Sequence, residues 1–435
     1  MARQKHQQVE QGPRPERPNE RWELDHTLLD VVVIDEEDGL PIGRPTLTAV
    51  RDKYSGCIPG FALSFEPPCV QSVLDCLLYA IPEKTQVQKH FGLKYGYVGY
   101  GVPETLVVDQ GKEMLGRDLE EACLQLGIKL VHNPGRSPWM KGSIERWFGA
   151  LNTDMVHALP GTTFSHVLER GDYRSEHVAC VTLDGLWVLL HRWIVEVYTR
   201  EYRRGSVQGV PVKLWERATE KGFVPRLPAN REALAVLLSR RAVRTVHRYG
   251  IELEGLLYQD ARLAKLRSQG TTGGSVQVNV KYHAGDLSRI WVLDAKEERY
   301  MEVEAVNRTY TDGLSLWKHR VIRAYVREEM KKEVNQEALG EARVQLHREM
   351  REAFGSLKSL QSRKRAARWM NRRVSHLLGE GLAEEEMAQE REGKHEEERG
   401  HDKREPEKAT QNVEESTEPD EEEADMVQWY GDGRQ

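Results

Sequence analysis

The apolar pattern begins at Trp22. The stretch ELDHTLLDVVVID is short, apolar and rich in β-branched residues, which predicts a strand. Gly39, Pro41 and Gly43 then break the chain into turns. TLTAVRDKYSGCIPGFALSF supplies two more strands around a Ser55-Gly56 turn, so the opening segment reads as an antiparallel meander. From Pro67 to Ile81 the spacing becomes helical, with Val70, Val73, Leu74, Leu77 and Leu78 as the apolar positions. A Gly/Tyr-rich loop leads to TLVVD, a buried-type strand that closes on Asp109. Leu115 to Leu126 is helical again and stops at Gly127; IKLVHN is a last short strand, GRSPWMKG a loop, and Ser143 to His157 a helix. The order β-β-β-α-β-α-β-α predicts an α/β unit over residues 22–157, a mixed sheet with helices on its faces. Such sheets carry functional residues at the carboxyl ends of their strands, where Asp109 lies.

The texture changes twice downstream. Residues 158–235 read as a helical connector, whose best segment, LDGLWVLLHRWIVEVYTREYRR, sets Trp187, Leu190, Ile194 and Val197 on one face. Trp193, Tyr198 and Tyr202 are assigned with Trp187 to its core side. Residues 236–328 hold short alternating strands (RTVHRYGIELEGLLYQ, SVQVNVKYH, RIWVLD, YMEVEAV) and read as a small all-β barrel. Residues 329–380 are charged and helical, and 381–435 read as an acidic disordered tail. The first 21 residues, with Pro13, Pro15 and Pro18 among charges, read as a polar linker.

Charge refines this picture. The net charge of the 435-residue chain is −6, but residues 381–435 hold 20 acids and 7 bases, a net of −13. The body therefore holds 49 acids and 56 bases, a net of +7, which suits a nucleic-acid partner better than the total does. Eight of those bases fall in residues 351–380, including the run RKRAARWMNRR, which could follow a DNA backbone. The five cysteines form no CxxC pair, which reads as reduced thiols of a cytosolic protein. No apolar run is long enough to span a membrane, and the N-terminus has no secretory pattern.

Two aspartates interrupt apolar strands, Asp25 in the first and Asp109 at the end of TLVVD. A carboxylate is costly in such a place unless paired or bound to metal. A third acid, Glu145, lies inside the helix after the loop, with 35 residues between it and Asp109. Three carboxylates can cage two hard divalent cations such as Mg²⁺ or Mn²⁺, with Asp25 as the bridging ligand, and two such cations can drive phosphodiester transfer. Asp30 and Asp35 are rival acids on the first apolar run, though Asp35 opens a turn. The spacing alone is weak support in a chain with 69 acids.

WELDHT, VVDQGKEM and GSIERWFGALN resemble the three acidic motifs of the DDE transposase and retroviral integrase superfamily. GRPTLTAVRDKYSGCIPGF, LPGTTFSHVLERGDYRSEHVACVTL and RYGIELEGLLYQDARLAKLR narrow the resemblance to TnsB- and TniA-type transposases, relatives of phage Mu transposase. The resemblance implies a ribonuclease H-like core, a Mu-type barrel, and a metal-dependent enzyme, with two Mg²⁺ or Mn²⁺ ions per site, that cuts transposon 3′ ends and joins them to target DNA. It implies transposon and target DNA, an AAA+ ATPase regulator and further copies of the chain as partners, in a bacterial cytoplasm at the nucleoid. Gln110 and Met114 stand where that family usually has Asn and Phe, and the three acids are intact. The family also sets helix-turn-helix modules ahead of its catalytic domain, whereas linker-like sequence precedes Trp22 here. Recognition of transposon ends is therefore expected from elsewhere, with a fragment, an alternative start and one half of a split enzyme all open. A truncated, non-catalytic regulator of transposition and another ribonuclease H-fold nuclease are the rival functions.

Lys112, Lys141 and Arg146 flank the acids and are candidate phosphate contacts. His132 and Asn133 end a strand near them and are candidate supporting groups. At the far end, Met426, Val427, Trp429 and Tyr430 stand in an acidic field, too few for a core and suited to docking in a partner's groove. The resemblance makes that partner the ATPase.

Overall fold

A computed structural model describes residues 14–36, 39–109, 116–133, 142–163, 175–204, 208–268, 276–328, 335–354, 363–364 and 368–369. Its first sheet has five strands, numbered here in chain order: β1 (Arg21–Leu28), β4 (Thr46–Asp52), β5 (Gly60–Ser64), β6 (Thr105–Asp109) and β7 (Lys129–Asn133). The short pair β2 (Val33–Ile34) and β3 (Pro41–Gly43) forms a separate ribbon. The sheet order is β5-β4-β1-β6-β7, antiparallel through β4 and β5 and parallel through β6 and β7. This is the mixed sheet that the alternation predicts, with the strand order of a ribonuclease H-like fold.

Strand periodicity gives the sheet two apolar faces. Trp22, Leu24, Val50, Leu106 and Val108 form one core with helix α1 (Val70–Ala80) and α3 (Arg117–Gln125), beyond the one-turn α2 (Val87–His90). Leu47, Ala49, Phe61 and Leu63 form the other with α4 (Gly142–Asp154) and the helix Leu183–Arg192. Alternate residues of one strand thus serve different cores, which is why every residue of β4, and every residue of β5 before Ser64, is buried. Gly60 in β5 sets the sheet-to-helix distance on the first face. A Cβ there would stand 2.5 Å from Ala80 Cα in α1, closer than packed atoms approach.

The amphipathic segment from Leu183 does not run as one α-helix. After Arg192 the chain widens to π-type turns over Trp193–Val197 and then tightens over Tyr198–Arg200. The wide turn inserts a residue into the helical repeat and shifts the apolar face. Trp193, Ile194, Val195 and Tyr198 are buried as a result, while Val197, which uninterrupted periodicity puts on the core face, is 39% exposed. Tyr202 lies past the helix and is also exposed, unlike its expected partners Trp187, Trp193 and Tyr198.

The second sheet holds six antiparallel strands in the order β10-β9-β8-β11-β12-β13. They are β8 (Arg240–His247), β9 (Gly250–Leu253), β10 (Leu256–Tyr258), β11 (Val276–His283), β12 (Asp286–Asp294) and β13 (Arg299–Glu304). The two edges meet: Val306 N–H donates to Leu257 C=O at 2.8 Å, Gln259 N–H to Glu304 C=O at 3.2 Å, and Tyr258 bridges Ala305. The edge strands are thereby bonded rather than exposed, as in a barrel. The strands end at Glu304, and the helix Leu316–Glu328 then packs into the same core through Ile322 and Val326.

The barrel leans on α1 and α3. His283 Nε2 lies 3.0 Å from Asp75 and 2.9 Å from Gln71 of α1. Arg241 pairs with Glu121 of α3 at 2.9 Å, and its N–H donates to Asp118 at 3.0 Å. Among the described residues of the basic run, Arg363 donates to the Pro41 carbonyl, Arg368 pairs with Glu66 and lies 4.1 Å over the Trp317 ring, and Trp369 is fully buried in the barrel core. These arginines contact protein, so this part of the run acts in packing.

Gly60→Ala is expected to lose about 1–3 kcal/mol of stability, the usual cost of overpacking a close contact. Urea unfolding of the two proteins measures it, and an unchanged midpoint would mean that α1 shifts freely.

Candidate metal and nucleic-acid site

The central strand β1 positions Asp25. Its register with β6 pairs Arg21 with Thr105, Trp22 with Leu106 and Glu23 with Val107. Continued two residues, that register brings Asp25 level with Asp109. Leu24 and Val108 face the α1/α3 core, so Asp25 and Asp109, the next residue in each strand, project to the opposite face. Adjacent strands lie about 4.8 Å apart, so two like charges stand side by side there. Asp25 is half-buried and accepts a hydrogen bond from His26 N–H at 2.9 Å, while Asp109 is exposed at the end of β6. Across β4 the neighbour of Asp25 is Ala49, so no bulky side chain crosses it from that side.

Glu145 comes from the first turn of α4, which packs on the same face. Ile144, Trp147, Phe148 and Leu151 form the buried stripe of that helix, leaving Glu145 and Arg146 exposed beside it. The stripe rests on an aromatic layer: Trp147 lies 6.2 Å from Trp193, Phe61 4.5 Å from Trp187, and Tyr79 Oη 2.5 Å from His191 Nε2. Burial pulls the His191 imidazole down to about 3, so it packs there neutral.

Asp25 and Asp109 thus project from one face of adjacent strands, each two residues past the last β1–β6 pair, Glu23 and Val107, and Glu145 arrives on the helix that packs on β1. Among the described residues, no three acids, histidines or cysteines stand close enough to hold a metal ion as a group. Lys112, Lys141, Gln110, Met114 and the tail residues Met426, Val427, Trp429 and Tyr430 lie outside the described residues. His132 and Asn133 end β7, Asn133 paired with Asp109. The donor set is compatible with a hard cation: all three groups offer carboxylate oxygens.

The rival Asp30 is engaged elsewhere. It pairs with Arg44 and lies 3.5 Å from His157. Asp35 is buried in the turn before β3, where its C=O accepts from Gly39 N–H at 3.1 Å. Sequence reasoning passed over Glu23, two residues before Asp25 and so on the same face of β1. It is fully buried, pairs with Lys53 at 2.8 Å and accepts a hydrogen bond from Ser143 Oγ of α4. A charged residue at period two from Asp25 was the signal that marked it.

Two regions of the chain match known protein families. Residues 23–161 match the TnsB C-terminal domain family, and residues 235–302 match the Mu transposase, C-terminal family. The transposase for transposon Tn552 of Staphylococcus aureus is 27% identical over 278 residues, 64% of this chain and 52% of that protein. The Tn7 transposition protein TnsB of Escherichia coli is 26% identical over 262 residues, 57% of this chain and 37% of that protein. The chain therefore matches about half or less of the length of these relatives. The catalytic core domain of BIV integrase aligns with 47% of this chain and 97% of its own at 14% identity, with a TM-score of only 0.27. Strand order, rather than that superposition, carries the fold assignment.

The aromatic layer also encloses Lys84, whose ammonium lies 5.2 and 5.0 Å from the Tyr79 and Tyr97 ring centroids and donates to the Pro82 carbonyl at 2.9 Å. Burial, seconded by the charge of Arg231, outweighs those contacts and pulls Lys84 down to about 7. A lysine with a lowered folded pKa binds fewer protons folded than unfolded. Stability is therefore expected to rise as pH climbs from about 7 toward the ordinary lysine value of 10.5, with a slope of up to about 1.4 kcal/mol per pH unit. Urea unfolding across that range, compared with Lys84→Met, checks this; an equal slope in the variant would assign it to other groups.

Proposed function

We propose that the chain is a transposase subunit that cuts the 3′ ends of a transposon and joins them to target DNA. One observation supports the reading: β1 and β6 pair in parallel as far as Glu23 and Val107, two residues before Asp25 and Asp109, and α4, which carries Glu145, packs on β1. The match of residues 23–161 and 235–302 to two transposase domain families supports it, as do the Tn552 and Tn7 relatives.

In this reading Asp25, Asp109 and Glu145 would hold two Mg²⁺ or Mn²⁺ ions. When bound, such a pair activates a water or a DNA 3′-hydroxyl and stabilises the departing 3′ oxygen. The chain's own contribution is positional. Two carboxylates ride on hydrogen-bonded strands that cannot slip without flipping every side chain to the other face. The third rides on a helix whose apolar stripe sets its rotation. Arg146, beside Glu145 on the exposed side of α4, contacts a DNA phosphate, and Lys112 and Lys141 do the same from the flanking segments. Such contacts hold the duplex in register without reading bases. The active form is a multimer assembled on DNA. Met426, Val427, Trp429 and Tyr430 dock on an AAA+ ATPase regulator.

Asp25→Ala, Asp109→Ala and Glu145→Ala are each expected to lower 3′-end cleavage and joining by about 10²–10³-fold or more, with folding intact. A strand-transfer assay on pre-cut ends with Mg²⁺ measures the joining step. Full activity in Asp25→Ala would remove that residue from the ligand set. Cleavage without joined products would favour a ribonuclease H-fold nuclease, and DNA binding without either reaction a regulator.

A further inference from the structure

The Glu23 contacts link the strand of the first acid to the helix of the third. One carboxylate oxygen of Glu23 takes the ammonium of Lys53, just past β4, at 2.8 Å; the other takes the hydroxyl of Ser143 in the first turn of α4. Glu23 is fully buried and Ser143 is 5% exposed, so water does not compete for either bond. Lys53 is tied back to β1 in turn, its N–H donating to Arg21 C=O at 2.9 Å. Ser143 precedes Glu145 by two residues and Glu23 precedes Asp25 by two, so the bond sits next to both candidate ligands. A buried carboxylate needs partners to tolerate its place, and here its two partners come from the end of β4 and the first turn of α4.

We infer that Glu23 and Ser143 are positioning residues: their buried hydrogen bond pins the first turn of α4 to β1 and so sets Glu145 relative to Asp25 for metal binding. The inference rests on the proposed metal site. The apolar stripe of α4 fixes the helix's rotation but holds its first turn through one side chain, Ile144, leaving the rest of that turn freer to move, since the first N–H groups of a helix have no partners within it. A hydroxyl-to-carboxylate bond at the second helical residue removes that freedom where the ligand stands. Supporting partners of this kind commonly change metal affinity by about 10–100-fold when lost.

The test uses the full chain, Mn²⁺ alone as the probe, and three variants: Ser143→Ala, Ser143→Thr and Glu23→Gln. Electron paramagnetic resonance reads Mn²⁺ affinity, and hydrogen exchange reads the amides of Ile144 to Arg146. Ser143→Ala is expected to weaken Mn²⁺ binding about tenfold and to speed exchange in that turn more than elsewhere, with a lower unfolding midpoint because the buried Glu23 loses a donor. Ser143→Thr, which keeps the hydroxyl, is expected to restore both. Glu23→Gln still accepts from Ser143 but loses the Lys53 charge pair, so it is expected to keep slow exchange in the turn and to lose stability. Wild-type Mn²⁺ binding and exchange in Ser143→Ala would overturn the inference while leaving the metal site standing. If Asp25→Ala and Glu145→Ala bind Mn²⁺ as the wild type does, the metal site itself fails and the inference falls with it.

Discussion

The parallel pairing of β1 with β6 is the constraint on which the site depends. β1 is the only strand of the first sheet with an antiparallel neighbour on one side and a parallel one on the other. The meander can supply the antiparallel side by local turns, but the parallel side requires the chain to cross α1 and return. Once β6 lies beside β1, the alternation of side chains leaves little freedom. Trp22 with Leu106 and Leu24 with Val108 must enter the α1/α3 core, and Asp25 and Asp109 must face the other way. Burying that apolar set stabilises the fold and aims the carboxylates in the same step.

The opposite face shows how a sheet can be apolar beneath and polar at one edge. Leu47, Phe61 and Leu63 are covered by α4 and the aromatic layer around Trp187, whereas the positions near Asp25 and Asp109 are only partly covered. Charge is tolerated inside this face where it is partnered: Glu23 meets Lys53 and Ser143, and Arg51, opposite it on β4, donates to Tyr198. The helix that brings Glu145 is therefore held by two different forces, an apolar stripe that is non-directional and a hydrogen bond that is not.

The barrel is joined to the sheet by polar contacts rather than by a shared core. His283 with Asp75 and Arg241 with Glu121 are partly exposed pairs, each worth little alone. Arg368 adds a stronger kind of link, since its guanidinium touches both Glu66 near the sheet and Trp317 of the barrel's helix. A basic run thus has part of its charge committed to holding the protein together, and composition does not distinguish that use from phosphate binding.

What the sequence determined by itself was the set of elements and their order. Period and β-branching marked β1, β4, β5 and β6, helical spacing marked α1, α3 and α4, and short alternating strands marked the second sheet, because these signals come from burial of one face of a local element. It also marked Asp25 and Asp109 as carboxylates within apolar runs. Tertiary structure decided the rest. Which strands became neighbours, and so whether those two acids met, depends on long-range pairing that local periodicity does not encode. The same holds for Val197, moved out of the core by a widened turn, for Asp30, taken by Arg44 and His157, and for Glu23, whose partners lie 30 and 120 positions away in the chain. A local pattern shows which face of an element is buried; only the folded chain shows what it is buried against.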